Sequence, residues 1–242
     1  MVRRGNSVRP PRRAPSRSAP RNSTSAALDD QTLTDTGLAA PHTHPGRILL
    51  IACGALAREI LDIKARGGWE HMDLTCLPAI LHNHPERITD AVTEMVEKYR
   101  ASYGQIYVVY ADCGTGGLLQ DTCATLGVEM IAGPHCYSFY EGNHAFEKHG
   151  DSEITAFYLT DFLVRQFDTF IWRPLGLDRH PDLRDSYFGH YEKLVYQAQT
   201  DDPALTAKAE ACAARLGLDF EHRQTGYGDL ATTLENWATK AT

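Results

Sequence analysis

The feature that most constrains the fold is a strand, turn and helix signal that repeats along the chain. Arg47-Ile-Leu-Leu-Ile-Ala-Cys53 is a continuous apolar run ending at Gly54, followed by Leu56, Ile60 and Ile63 at helical spacing and a Gly67-Gly68 stop. The unit returns at once: Met72 to Leu77 reads as a strand. Asn83 or His84 then caps a helix with Pro85 in its first turn and Ile88, Val92, Met95, Val96 and Tyr99 as its apolar stripe. Gln105 to Ala111 is a β-branched and aromatic strand, Leu118 to Leu126 a helix, and Val128 to Ala132 a further strand. Such alternation predicts an α/β fold, with mostly parallel sheet or sheets carrying helices on both faces.

Residues 153–192 read as mainly helical, with Asp161 to Phe170 the clearest stretch and a break at Arg173-Pro-Leu-Gly-Leu-Asp178. The rhythm then resumes with strand Lys193 to Gln197, an Ala-rich helix Pro203 to Leu216, strand Leu218 to Arg223, a Thr225-Gly-Tyr-Gly turn and a last helix. Ala124-Thr-Leu-Gly-Val-Glu-Met130 echoes Ala214-Arg-Leu-Gly-Leu-Asp-Phe220, each closing a helix and opening a strand. Two explanations stand side by side: pseudo-symmetric lobes, 47–150 and 190–240, joined by a helical segment 151–189, or a generic glycine helix stop used twice.

Charge is unevenly placed. Residues 1–46 carry seven Arg and three Asp, so of the formal net charge of -7 the remaining chain holds -11, with 17 basic and 28 acidic residues. An acidic body argues against nucleic acid as a partner, because a phosphate backbone needs a basic face. The first 46 residues, rich in Arg, Ser, Pro, Ala and Thr, cannot bury enough apolar surface to offset chain entropy, and are expected to be a disordered tail ahead of one α/β domain over 47–240. His42 and His44 fall in that tail and are expected to bind nothing. Arg3-Arg4 is followed by no apolar stretch of the export type, and no run approaches the roughly 18 residues that span a bilayer. The expectation is a cytoplasmic protein with no membrane partner, whose six cysteines are reduced thiols rather than a disulfide framework.

Thiol placement carries the chemistry. Cys53, Cys76, Cys113 and Cys136 each fall at or just past the end of an expected strand, the edge where open α/β sheets place ligands. Cys76 also suits strand packing, and Cys123 and Cys212 lie inside helices as core filler. His82 and His84 in Leu81-His-Asn-His-Pro85, and His135 beside Cys136, follow the same edge; His84 fits a helix start, while His82 and His135 remain ligand candidates. Thiolate and imidazole together are the donors of zinc and iron sites, so Cys53, Cys113, Cys136, His82 and His135 form the candidate metal set. Asp112-Cys-Gly-Thr-Gly-Gly117 and Thr225-Gly-Tyr-Gly228 are turns into helices whose amides favour an anion. Gly54, Asp112, Gly114, Thr115, Gly116, Gly117, Gly226, Tyr227 and Gly228 are therefore candidate cofactor contacts, although neither turn is a dinucleotide fingerprint or a phosphate loop.

Taken in order, Ala52-Cys-Gly-Ala-Leu, Cys76-Leu-Pro with Leu81-His-Asn, Tyr110-Ala-Asp-Cys-Gly-Thr-Gly-Gly, Pro134-His-Cys-Tyr, Leu175-Gly-Leu-Asp-Arg-His-Pro-Asp-Leu and Thr225-Gly-Tyr-Gly-Asp-Leu resemble the domain-of-unknown-function family numbered 1638, over roughly residues 47–235. Members are often encoded near corrinoid-dependent methyltransferase genes, so the resemblance implies an association with one-carbon metabolism and not a mechanism.

Three functions follow as expectations. One is a metal or metallocofactor protein holding zinc or iron, iron–sulfur included, at the sheet edge, with corrinoid reached only through a partner. Zinc would supply the deprotonated sulfur that methyl transfer to a thiol needs. Another is a cofactor-independent enzyme with Cys53 and Cys113 as an acid/base pair, although two-lobed enzymes of this kind draw one thiol from each half. The last is a non-enzymatic partner of a corrinoid protein or methyltransferase, docking through the loop that holds Asp178, Arg179 and His180.

Overall fold

The computed structural model describes residues 28–41, 47–150 and 153–240. It is an α/β protein with two all-parallel sheets. The first has the order β2-β1-β3-β4, from β1 (Ile48–Cys53), β2 (Met72–Leu77), β3 (Gln105–Val109) and β4 (Glu129–Met130). β1 lies between β2 and β3, and its Ile48, Leu50 and Ala52 face one core while Leu49 and Ile51 face another. That is why the run is apolar at every position: a central parallel strand has no solvent face.

Helices α2 (Ala57–Gly67), α3 (Ile88–Tyr99) and α4 (Leu118–Leu126) make the crossovers, and α2 covers the face opposite α3 and α4. The second sheet, β5-β6-β7, is built from β5 (Ala156–Thr160), β6 (Lys193–Ala198) and β7 (Asp219–Gln224). α5 (Cys136–Glu141) and α6 (Asn143–His149) precede β5, α7 (Asp161–Arg165) and α8 (Arg184–Phe188) lie between β5 and β6, and α9 (Pro203–Leu216) joins β6 to β7. The closing helix, α10 (Gly228–Lys240), packs on α2 and α5, and its Trp237 stacks on Tyr107 of β3 at 4.4 Å. One core cluster runs through both sheets, joining Leu50 and Ile60 to Leu159, Tyr196 and Leu216.

Two expectations are corrected here. Residues 153–192 hold helical turns at Asp161–Arg165, Asp168–Trp172, Pro181–Leu183 and Arg184–Phe188, but they also hold an unexpected strand, because Ala-Phe-Tyr-Leu-Thr forms β5, paired along its length with β6. Its aromatic residues satisfy a helix spacing and a strand face equally, and only the partner strand decides. The second sheet therefore begins at 156, inside the segment expected to join the lobes.

Part of the expected tail is folded. Within the supposed tail, α1 (Asp30–Asp35) is capped by Asp29, buries Leu33 completely, and is tied to the body by Arg58 and Arg165, which both reach Asp30. Leu38 then bridges Cys76 in both directions, at 2.9 and 2.8 Å, covering the open edge of β2. An uncovered β edge is a liability, and this short segment covers it at Cys76. His42 and His44 lie outside the described residues, as do Arg3 and Arg4.

The echo survives as geometry. Gly127 and Gly217 both close their helices in the left-handed conformation, φ 69° and 72°, and each leads into an edge strand, β4 or β7. Among the described residues no helix is long and apolar enough to cross a membrane.

Candidate functional site

The C-terminal ends of β1 and β3 open onto an apolar pocket lined by Cys53, His82, Tyr110, Cys113, Cys136 and Tyr140, with Thr160, Phe162 and Phe170 contributed from β5 onward. It is small, with a cavity volume of about 30 Å3. Three thiols from three separate segments thus line one pocket where parallel strands end, as expected for a ligand site of an α/β sheet.

Each thiol has its own local cause. Cys53 is the last residue of β1, and the chain enters a 3-10 turn at Gly54, which lies against the Leu33 carbonyl, where any Cβ would collide. Cys113 is the one non-glycine with positive φ among the described residues, at 49°. That conformation costs on the order of 1 kcal/mol and is held by the turn around it. The Asp112 carboxylate accepts from the amides of Gly117 at 2.6 Å and Gly116 at 3.2 Å and from the Thr115 hydroxyl at 2.9 Å. Cys136 is the first residue of α5, directly after His135, whose carbonyl accepts the Ser138 hydroxyl. His82 sits on a short 3-10 turn, Ala79–Asn83, edge-on to Phe170 at 6.4 Å.

Burial sets the electrostatics. It pushes the Cys53 thiol up to about 11, against weaker opposition from the Ala55 amide and the Tyr110 hydroxyl. Cys136 rises to about 12 through burial first and the neighbouring Cys53 second. Cys113 is driven higher still by burial, then by Cys136 and Cys53. His82 keeps ring surface at the pocket mouth, yet enough protein surrounds it that desolvation, with His135 nearby, lowers its pKa. At neutral pH the pocket is therefore uncharged. Positive charge arriving with a ligand would favour the thiolate there.

Sequence reasoning missed several neighbours. Glu59, on the first turn of α2, is 3% exposed, leaves Oε2 without a hydrogen bond, and lies 3.9 Å from Arg165; burial raises its carboxyl to about 7. Its charge bears on Cys136 and Tyr140. Asp161, fully buried at the start of α7, accepts from Tyr196, Gln199 and Thr200 and pins the second sheet beside the pocket. A Glu at the start of a helix reads as a surface residue, so no signal in the sequence separates Glu59 from its exposed counterparts.

The other candidates disperse. Cys76 is core, 2% exposed, with its backbone bridged to Leu38, and Cys123 and Cys212 are buried in α4 and α9. All six cysteines are free. His135 is exposed, near the rings of Tyr137 and Phe146, and is not part of the pocket wall. His84 makes no side-chain cap. The amides of Gly116 and Gly117, expected to be free for an anion, are taken by Asp112, while Gly114 lies against Pro85. In the other turn, Tyr227 donates to Asp62 of α2 at 2.6 Å, Gly226 adopts φ 62°, and Gly228 sits on the Phe139 and Tyr140 carbonyls with no room for a Cβ. That turn docks α10 onto α5.

The donor chemistry of the pocket suits a soft metal. A ready-made centre is a different matter: among the described residues no group of three or more His, Cys, Asp and Glu side chains is drawn together to hold an ion. No curated protein matches the chain. A family match does exist, covering residues 76–234 of the 242-residue chain. It starts within β2, so Cys53 lies ahead of it while Cys113 and Cys136 lie inside it. With most of its folded body matched, the chain belongs to the family described as Protein of unknown function (DUF1638).

Proposed function

We propose that the thiol-lined pocket is the working site and that it takes a thiophilic metal ion, zinc or iron, or a metal-bearing cofactor. Cys53, Cys113 and Cys136 would be the donors, with His82 at the mouth as the imidazole ligand. The observation that carries this reading is the convergence of three thiols from separate segments on one apolar pocket. Soft sulfur donors in an apolar wall select soft or borderline metals. Because the thiols are protonated without a ligand, binding of a metal would release protons, with Cys53, Cys113 and Cys136 supplying the thiolates. A role beside a corrinoid protein or methyltransferase in one-carbon chemistry rests on the family resemblance alone.

The test is metal analysis of protein purified without oxygen, joined to alkylation mapping. About one metal per chain, with Cys53, Cys113 and Cys136 protected until a chelator is added, is the expected result. No metal, together with pocket thiols indifferent to added zinc or iron(II), overturns it.

A second reading keeps Cys53 and Cys113 as an acid/base pair, favoured by their sharing one pocket and disfavoured by burial that leaves both protonated. Deuterium wash-in at an amino-acid α-carbon by metal-free protein, lost on replacing either thiol with Ser, would establish it in place of the first.

A further inference from the structure

A second cavity, of about 250 Å3, lies between the end of α7, the turn Asp168–Trp172 and α9, and shares no wall residue with the thiol pocket. Its lining is unlike the rest of this acidic body: Arg165, Arg173, Lys208 and Arg215 stand against a single carboxylate, Asp168. We infer that this cavity binds a phosphate-bearing small molecule, its phosphate held by Arg173, Lys208 and Arg215.

The four cations are not equivalent. Arg165 is already committed, its Nε donating to Asp30 at 3.0 Å and its far nitrogen lying 3.9 Å from Glu59. Its carbonyl instead accepts Lys208 Nζ at 2.9 Å, which fixes the ammonium at the wall and leaves its other N–H groups to point elsewhere. Arg215 is held by stacking: its guanidinium carbon lies 4.2 Å from the centre of the Trp172 ring and 5.1 Å from that of Phe167, while one edge pairs with Asp168 at 2.9 Å. A planar, pre-positioned fork loses little freedom when it takes up an oxyanion. Arg173 makes no ion pair among the described residues and is exposed at the cavity wall.

Setting Asp168 against these three leaves a surplus of two positive charges, which matches a phosphate dianion better than a single carboxylate. The wall itself is a π-turn, with Arg173 N donating to Asp168 O and Leu177 N to Trp172 O, five residues apart in each case. Such turns cost helical regularity and recur at functional sites. Here the extra residue presents Trp172 to Arg215 and Arg173 to the cavity.

The experiment is a titration of the full chain with pyrophosphate at constant ionic strength, followed by 31P line broadening and calorimetry, with citrate as the carboxylate arm. Saturable pyrophosphate binding is expected, weakened about tenfold by Arg173→Gln and again by Lys208→Gln, the loss of one charge-assisted contact each. Arg179→Gln, an exposed arginine outside the cavity, should bind as the parent does. Both cavity positions are exposed, so folding is expected to be retained, and a matching melting temperature confirms it. No saturable binding, an Arg173→Gln/Lys208→Gln double variant that binds like the parent, or citrate binding as tightly as pyrophosphate would each overturn the inference. Metal content plays no part in these outcomes, so the proposal for the thiol pocket stands or falls separately.

Discussion

Raised thiol pKa values make a kinetic prediction that can be worked through. At pH 8 an ordinary cysteine titrating near 9 is about one-tenth thiolate, whereas Cys53, titrating near 11, is about one-thousandth thiolate. The hundredfold deficit is partly offset, because a more basic thiolate is the better nucleophile. A Brønsted slope of roughly 0.4–0.5 returns about eightfold over two units, leaving roughly a tenfold slower reaction. The assay is iodoacetamide alkylation of chelator-treated protein, read peptide by peptide against the unfolded chain. Steric shielding alone would also slow the reaction, so the pH profile decides. A Cys53 rate that climbs tenfold per pH unit through pH 9 to 10 supports desolvation as the cause, and Cys136 should climb likewise. A plateau near pH 9, or a rate at pH 8 equal to that of the unfolded chain, refutes the argument.

Four other outcomes follow. Glu59 titrates near 7 when folded and near 4.5 when unfolded. The folded state therefore holds more protons in between, and stability should fall as pH rises from about 4.5 to 7, by up to about 3 kcal/mol; Glu59→Gln should flatten that slope in urea unfolding. Leu33→Ala, which empties a fully buried site, should cost about 2–5 kcal/mol and expose residues 28–41 to proteolysis, whereas an unfolded tail would give no change in melting temperature. Gly228→Ala would drive a Cβ into the Phe139 and Tyr140 carbonyls, so thermal unfolding should shift down by several degrees and α10 should exchange its amides faster. Asp112→Ala strips the partners from the Gly116 and Gly117 amides, with an expected loss of about 1 kcal/mol in denaturant and faster alkylation of Cys113 as its turn loosens.

Much of the fold is legible in the chain because its signals are local. The apolar run to Cys53, the stripe Ile88, Val92 and Val96, and the glycine stops at Gly127 and Gly217 each announce an element without reference to distant residues. β5 is not legible in that way, since Ala-Phe-Tyr-Leu-Thr becomes a strand only beside β6. Nor is the segment around Leu33 and Leu38, whose few apolar residues count only because the edge of β2 and the core beneath α1 are there to receive them. The Gly-rich turns show the opposite failure: the sequence marks them as anion cradles, and the fold spends them internally, on Asp112 in one case and on docking α10 in the other.

By itself, then, the sequence determined an α/β chain with thiols at strand ends, because periodicity and strand order both follow from nearest-neighbour chemistry. Only the tertiary structure decided where each thiol goes. Cys53, Cys113 and Cys136 share a pocket, Cys76 turns into the core, and Glu59 and the Arg173 cavity come into view. Burial and proximity between residues far apart in the chain are set by how helices and sheets pack, and it is these that fix protonation and charge at a site.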